Sequence, residues 1–117
     1  MFEHEITDFR QRGERTMERH FQIRWEQEEL TATIHYPAGQ HQNKYPTVII
    51  CHGFIGNRIG TDRLFVKAAR ALAEQGYLTL RFDYAGCGES TGEYGRGGMD
   101  ALISQTRKVL DYVADMD

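Results

Sequence analysis

The readable part of the chain opens on strict alternation. From Met17 to Trp25, Met17, Arg19, Phe21, Ile23 and Trp25 take one side, and Glu18, His20, Gln22 and Arg24 take the other. A period of two predicts a half-buried strand. The run Leu30–Tyr36 repeats the pattern, with Leu30, Ala32, Ile34 and Tyr36 on one face. Glu26–Glu29 separate the two runs, which suits an antiparallel hairpin, and Pro37 and Gly39 end it. Residues 1–16 are polar and charge-mixed, with Phe2, Ile6 and Phe9 as apolar anchors. They read as a polar tail, frayed or briefly helical, ahead of a domain over 17–117.

The pattern then changes character. Thr47–Cys51 is continuous and β-branched, as in a strand buried on both faces of a parallel sheet. Leu64, Phe65, Ala68, Ala69, Leu72 and Ala73 recur at helical spacing in a segment from about Thr61 or Asp62 to Gln75. Thr61 or Asp62 can cap its start, and Gly76 suits the position past its end. Tyr77–Phe82 is the next strand, and the intervening helix makes the two strands parallel with a right-handed crossover. A glycine-rich loop from Ala85 to Gly98 leads into a helix over Met99–Asp115, with Leu102, Ile103, Thr106, Val109, Leu110 and Val113 inward. The order is β-β-β-α-β-α. A helix after a parallel strand normally delivers the chain to another strand, so the sequence reads as the front part of a larger α/β domain.

Composition narrows the function classes. Lys+Arg 14 against Asp+Glu 17 gives a net charge of -3, without the basic stripe of a nucleic-acid binder. A hydrophobic share of 40% supports a real core and excludes wholesale disorder. Two cysteines, Cys51 and Cys87, are too few for a disulfide scaffold and point to a reducing, cytoplasmic setting. The longest apolar run, Val48–Cys51, is too short to span a membrane, and the first residues carry no secretory signal pattern.

Two segments carry candidate chemistry. His52-Gly53-Phe54 follows a buried strand, at the carboxyl end where ligands and catalytic groups collect. A glycine there permits a sharp turn and leaves the next N–H free to stabilise an oxyanion; the plainer reading is an ordinary strand-to-loop turn. In Asp83-Tyr84-Ala85-Gly86-Cys87-Gly88-Glu89-Ser90, Asp83 can accept from loop N–H groups, while Gly86 and Gly88 allow positive φ. As a phosphate loop it fails, because position 91 is Thr91 and no lysine follows in the required place. Gly88-Glu89-Ser90-Thr91-Gly92 matches G-x-S-x-G literally, yet the strand ends several residues earlier and glycines rather than a helix follow. Ser90 therefore reads as a loop residue. Cys51, His52 and Cys87 lack the spacing of a metal site and read as buried thiols beside a turn, with no metal or cofactor expected. His4, His20, His35 and His41 are scattered and indicate no site.

Residues 17 to 115 resemble the N-terminal half of an α/β-hydrolase. The resemblance is carried by the hairpin, by Val48-Ile49-Ile50-Cys51-His52-Gly53-Phe54, and by Phe82-Asp83-Tyr84-Ala85-Gly86-Cys87-Gly88-Glu89-Ser90. It is most similar to bacterial serine esterases of the cinnamoyl/feruloyl type and to serine-aminopeptidase-like hydrolases. The resemblance implies an α/β fold with an incomplete hydrolase sheet, an antiparallel hairpin followed by parallel strands, in the spatial order first, second, fourth, third. It implies that the Phe54 N–H is half of an oxyanion hole, with His52 and Gly53 presenting it and Ile55 and Tyr84 near the substrate. It further implies that Asp83, Gly86, Gly88 and Ser90 form a structural loop, and that the nucleophile, acid and histidine come from later sequence. Ser104, inside the last helix, cannot replace that nucleophile.

The expected activity is ester hydrolysis through an acyl-enzyme on a small-molecule ester, with the present chain inactive alone. The alternative is a non-catalytic assembly module acting through an open sheet edge, because Val48, Ile49 and Ile50 read as a central strand but would lie at the edge. Self-association through that edge is expected, and neither nucleic acid nor membrane is expected as a partner.

Overall fold

Pairing of the alternating hairpin organises the sheet. A computed structural model describes residues 6–11, 14–37, 46–53 and 56–115. It contains strands β1 (Ile6–Gln11), β2 (Glu14–Trp25), β3 (Glu28–Tyr36), β4 (Thr47–Cys51) and β5 (Leu78–Phe82), with helices α1 (Leu64–Glu74) and α2 (Gly98–Asp115). The five strands form one sheet in the order β1-β2-β3-β5-β4. β2 and β3 are antiparallel, β3 and β5 are antiparallel, and β4 and β5 are parallel. The hairpin and the two later strands thus stand in the predicted order.

The register sorts side chains onto two faces. Phe21 lies opposite Ala32, Ile23 opposite Leu30, Ala32 opposite Phe82 and Ile34 opposite Leu80. These residues form a fully buried apolar face, which Val109 and Val113 of α2 cover. Phe21 stacks on Tyr112 at 5.2 Å between ring centroids. α1 packs on the other face, against β5, β2 and β3, through buried Val66, Ala69 and Ala73. The small alanines let the helix approach a face that is polar: Glu18, Thr31, Thr33, His35, Thr79, Arg81 and Asp83 are all buried.

Several expectations change in the structure. Residues expected as a polar tail include β1, which pairs antiparallel with β2 from Ile6 opposite Arg19 to Gln11 opposite Glu14. The backbone edge of β2 offers a row of unpaired groups, and such a template overrides a weak local signal. The turn of the hairpin is only Glu26–Gln27, because both strands run longer than the alternation shows. β3 is buried on both faces rather than half-buried, since it lies between β2 and β5 with α1 and α2 on either side. β4 lies at the sheet edge as expected, but Val48, Ile49 and Ile50 are only half-buried rather than buried on both faces.

The helices differ in detail. α1 starts at Leu64, after a 3-10 turn over Thr61–Arg63, and Arg63 at its N-cap makes no side-chain capping bond. Neither Thr61 nor Asp62 is the cap, because the chain enters the helix through left-handed φ values of 55° at Asp62 and 61° at Arg63. Its C-terminus closes as predicted, with Gly76 N–H donating to Ala73 O and Tyr77 N–H to Leu72 O. Leu64, expected inward, is 57% exposed, and Val66 faces in instead. On α2, Ile103 and Leu110, also expected inward, are 50% and 51% exposed, while Gln105 is buried. That flank of α2 borders an open hollow beside His52 and Tyr84, so its apolar stripe exceeds its cover. Among the described residues, no helix is long and apolar enough to cross a membrane.

Candidate active site

Because β4 and β5 run parallel, with Cys51 opposite Phe82, both strands release their chains at the same end of the sheet. His52 and Asp83 are the next residues on each. The two glycine-bearing turns singled out in the sequence therefore meet. His52 Nε2 accepts the Tyr84 N–H at 3.0 Å. An accepting Nε2 leaves the ring proton on Nδ1, which donates to Gly53 O at 2.7 Å. The ring also packs edge-on against Tyr84, 4.9 Å between centroids. Gly53 O takes a second bond from Gly56 N–H at 3.0 Å. Phe54 and Ile55, expected at the oxyanion hole and the substrate wall, lie outside the described residues. With both ring nitrogens engaged, His52 has no lone pair to serve as a general base; it holds the turn.

The second loop is tied down at every step. Asp83 is fully buried; its N–H donates to Thr31 O at 2.9 Å, and its carboxylate accepts from Arg58 N–H, from Arg58 Nη1 at 2.6 Å and from Glu89 N–H at 3.1 Å. Ser90 Oγ donates to Asp83 O at 2.7 Å and accepts the Thr31 N–H at 2.7 Å. A hydroxyl bonded at both ends to backbone splices the loop to β3. Ala85 N–H donates to Gln105 Oε1 at 2.8 Å, and the Tyr84 hydroxyl meets Thr106 Oγ1 at 2.9 Å, so α2 holds the loop from the other side. Gly86 and Gly88 have φ of 81° and 52°. Burial pushes the Tyr84 phenol and the Cys87 thiol up. Cys87 is buried as expected for a small thiol, whereas Cys51 is exposed, because it ends an edge strand.

Beside His52 opens a hollow of about 370 Å³ lined by Gly53, Tyr84, Tyr94, Met99 and Leu110. A larger open groove of about 690 Å³ lies by the hairpin turn, under Trp25 and Glu28, and touches none of the residues expected at the site. A hydroxyl and an imidazole do meet elsewhere, Thr33 Oγ1 and His20 Nδ1 at 2.8 Å. Thr33 is fully buried and its oxygen also takes Arg58 Nε at 3.0 Å, so it is a structural hydroxyl.

Sequence reasoning missed the charges beneath this site. Arg70 Nε donates to Glu18 Oε2 at 2.7 Å, His35 Nδ1 faces the same oxygen at 3.2 Å, and Arg81 Nε donates to His35 Nε2 at 2.9 Å. Arg81 Nη1 then reaches Arg58 O at 3.2 Å. One signal was present: Arg81 interrupts the run Leu78–Phe82, and a buried charge in a central strand needs partners. Burial alone pushes the Glu18 carboxyl up, but the bonds from His35 and Arg70 outweigh it and hold the group at about 2. Burial lowers the His35 imidazole, against the pull of Glu18, and draws the Arg81 guanidinium down to about 10.

These shifts fix a pH dependence. Folded His35 binds its proton less well than the unfolded side chain at 6.5, and folded Glu18 less well than the unfolded carboxyl at 4.5. The unfolded state therefore takes up more protons on acidification, and stability falls with pH. Thermal unfolding followed by circular dichroism should show a midpoint that declines below about pH 6.5 and again from 4.5 towards 2. His35→Gln should flatten the upper limb; an unchanged midpoint in the wild-type chain from about pH 7 to about pH 5 would contradict it.

A mixed sheet carrying its site where two parallel strands end, with helices on both faces, defines the α/β class, and the chain belongs to the alpha/beta hydrolase fold family, whose model matches residues 46–115. Among curated relatives, it is 44% identical over 69 residues to an uncharacterized 31.7 kDa protein from the traX-finO intergenic region of Escherichia coli, covering 59% of this chain and 22% of that protein. It is 40% identical over 60 residues to lysophosphatidylserine lipase ABHD12 of Xenopus tropicalis, covering 50% of this chain and 15% of that one. Among solved structures, it is similar to Est1E from Butyrivibrio proteoclasticus with ferulic acid bound, at a TM-score of 0.71 and 30% identity over 80% of this chain and 36% of Est1E. The chain thus spans about a third or less of these relatives.

Proposed function

We propose that this chain forms the oxyanion-hole side of a serine esterase. The observation that carries the reading is the bond from Tyr84 N–H to His52 Nε2, which joins the two family turns at the end of the parallel strands. In this reading the Phe54 N–H, presented by His52 and Gly53, stabilises the tetrahedral oxygen, a contribution on the order of 3 kcal/mol per well-placed donor. The nucleophilic serine, the acid and the histidine come from sequence outside these 117 residues. Serine Oγ attacks the acyl carbon while histidine takes its proton; the bond to the leaving alcohol breaks as histidine protonates that oxygen, and water then hydrolyses the acyl-serine. An ester substrate is supported by the relatives named for ferulic acid binding and for lysophosphatidylserine lipase activity. A cytoplasmic setting goes with the two unpaired thiols.

The test is a pre-steady-state assay with p-nitrophenyl acetate. The 117 residues alone should give no burst, and a longer chain carrying the family's serine should give about one equivalent of nitrophenol per protein. A stoichiometric acyl-enzyme on the 117 residues would place the nucleophile inside them and overturn this assignment.

One observation favours a second reading, a non-catalytic assembly module. Among the described residues no strand pairs with the outer edge of β4, and Thr47–Cys51 contains neither a charge nor a proline to guard it. Under that reading the chain self-associates at micromolar concentration, and Ile49→Lys shifts light scattering towards monomer. A monodisperse wild-type monomer counts against it.

A further inference from the structure

We propose that Arg58 is the positioning residue of the turn between Gly53 and Asn57, clamping its far leg to Asp83 while His52 ties its near leg to Tyr84. The proposal rests on the esterase reading for its purpose, but its geometry stands alone. The near leg is the bond from Tyr84 N–H to His52 Nε2 at 3.0 Å. For the far leg, the Arg58 backbone N–H donates to Asp83 Oδ1 and its Nη1 donates to Oδ2 at 2.6 Å, so one residue engages both carboxylate oxygens. Nε reaches Thr33 Oγ1 at 3.0 Å, Nη2 reaches Glu89 Oε1 at 3.0 Å, and the Arg58 carbonyl accepts Arg81 Nη1 at 3.2 Å. Every polar group of Arg58 therefore has a partner, on β3, on β5 or on the loop after β5.

The consequence is mechanical. Tyr84 and Asp83 are adjacent in the chain, so both legs of the turn are anchored on the same short segment. Between the anchors, Gly56 N–H closes onto Gly53 O at 3.0 Å, and Asn57 Oδ1 accepts the N–H groups of Ile59 and Gly60 at 2.9 and 3.2 Å. In the esterase reading, these anchors hold the direction of a donor carried between them, as an oxyanion hole requires. Arginine suits the task because its planar fork serves several acceptors in fixed directions; a lysine ammonium is a single point charge.

Amide hydrogen exchange on this chain tests the clamp. Arg58→Lys should speed exchange at Gly56 and Arg58 by at least about tenfold while Ile34 and Leu80 keep wild-type rates, because opening becomes local. Arg70→Met, which cuts the ion pair to Glu18 instead, should leave Gly56 and the residue 58 amide unchanged. Unchanged exchange in Arg58→Lys, or acceleration only in step with Ile34 and Leu80, overturns the proposal. Should Arg58→Lys fail to fold, the wild-type chain decides: a slowly exchanging Arg58 Nε–H resonance supports the clamp, and its absence refutes it. In a longer chain that hydrolyses p-nitrophenyl acetate, Arg58→Lys should lower kcat about tenfold with KM within about twofold. A loosened turn in a chain with no esterase activity sinks the esterase reading alone; full kcat in Arg58→Lys sinks the positioning role alone.

Discussion

Replacing Asp83 with alanine should remove about 3–5 kcal/mol of folding free energy, the cost of stripping one partner from a buried ion pair. Asp83 is fully buried, and Arg58, its partner at 2.6 Å, is 11% exposed. Without the carboxylate the guanidinium keeps its charge in a poorly solvated place, and the N–H groups of Arg58 and Glu89 lose their acceptor. Against a typical total of roughly 5–15 kcal/mol, that loss takes a large share of stability. Urea unfolding is the measurement. Asp83→Asn keeps the shape and one acceptor oxygen, so it should cost less than the alanine change. A loss below about 1 kcal/mol for Asp83→Ala would mean that water or a rearranged loop replaces the carboxylate, and the view of Asp83 as keystone of the loop would fail.

Gly86→Ala should cost on the order of 3 kcal/mol, from a left-handed backbone and a steric clash together. At φ 81°, an added Cβ runs into the backbone of Glu93 and Tyr94. Those atoms cannot swing aside as a side-chain tip can, because Gly86 N–H is bonded to Thr91 O at 2.9 Å in the same loop. Gly95 separates the two contributions. Its φ is 84°, yet an added Cβ there meets nothing within 4 Å. Gly95→Ala should therefore cost only about 1 kcal/mol, the conformational part. Equal losses at the two positions would show that the loop relaxes around residue 86.

The elements that sequence reading recovers share one property: their signal is carried by neighbouring residues. The hairpin faces follow from alternation between Met17 and Tyr36, and α1 from a stripe of apolar residues one turn apart. The His52 and Asp83 turns were found the same way, as short motifs after apolar runs. What it misplaced depends on distant segments. The alternation of β3 looks like that of a strand with one wet face, yet Thr31, Thr33 and His35 are buried: Glu89 and Ser90 close over Thr31, Arg58 bonds Thr33, and α1 packs on the same face. Ile103 and Leu110 have the spacing of inward residues, and only the position of the neighbours decides that they are exposed.

By itself, then, the sequence determined which residues form the apolar face of the sheet and which two turns carry glycines after parallel strands, because both are set by backbone periodicity over a few residues. Tertiary structure alone decided what the polar residues do. Glu18 meets Arg70 across 52 positions, Arg81 meets His35 across 46 and Arg58 meets Asp83 across 25. A charge carries no mark of its partner along the chain; strand register and helix placement choose it, and here they turn dispersed polar residues into the buried frame behind the candidate site.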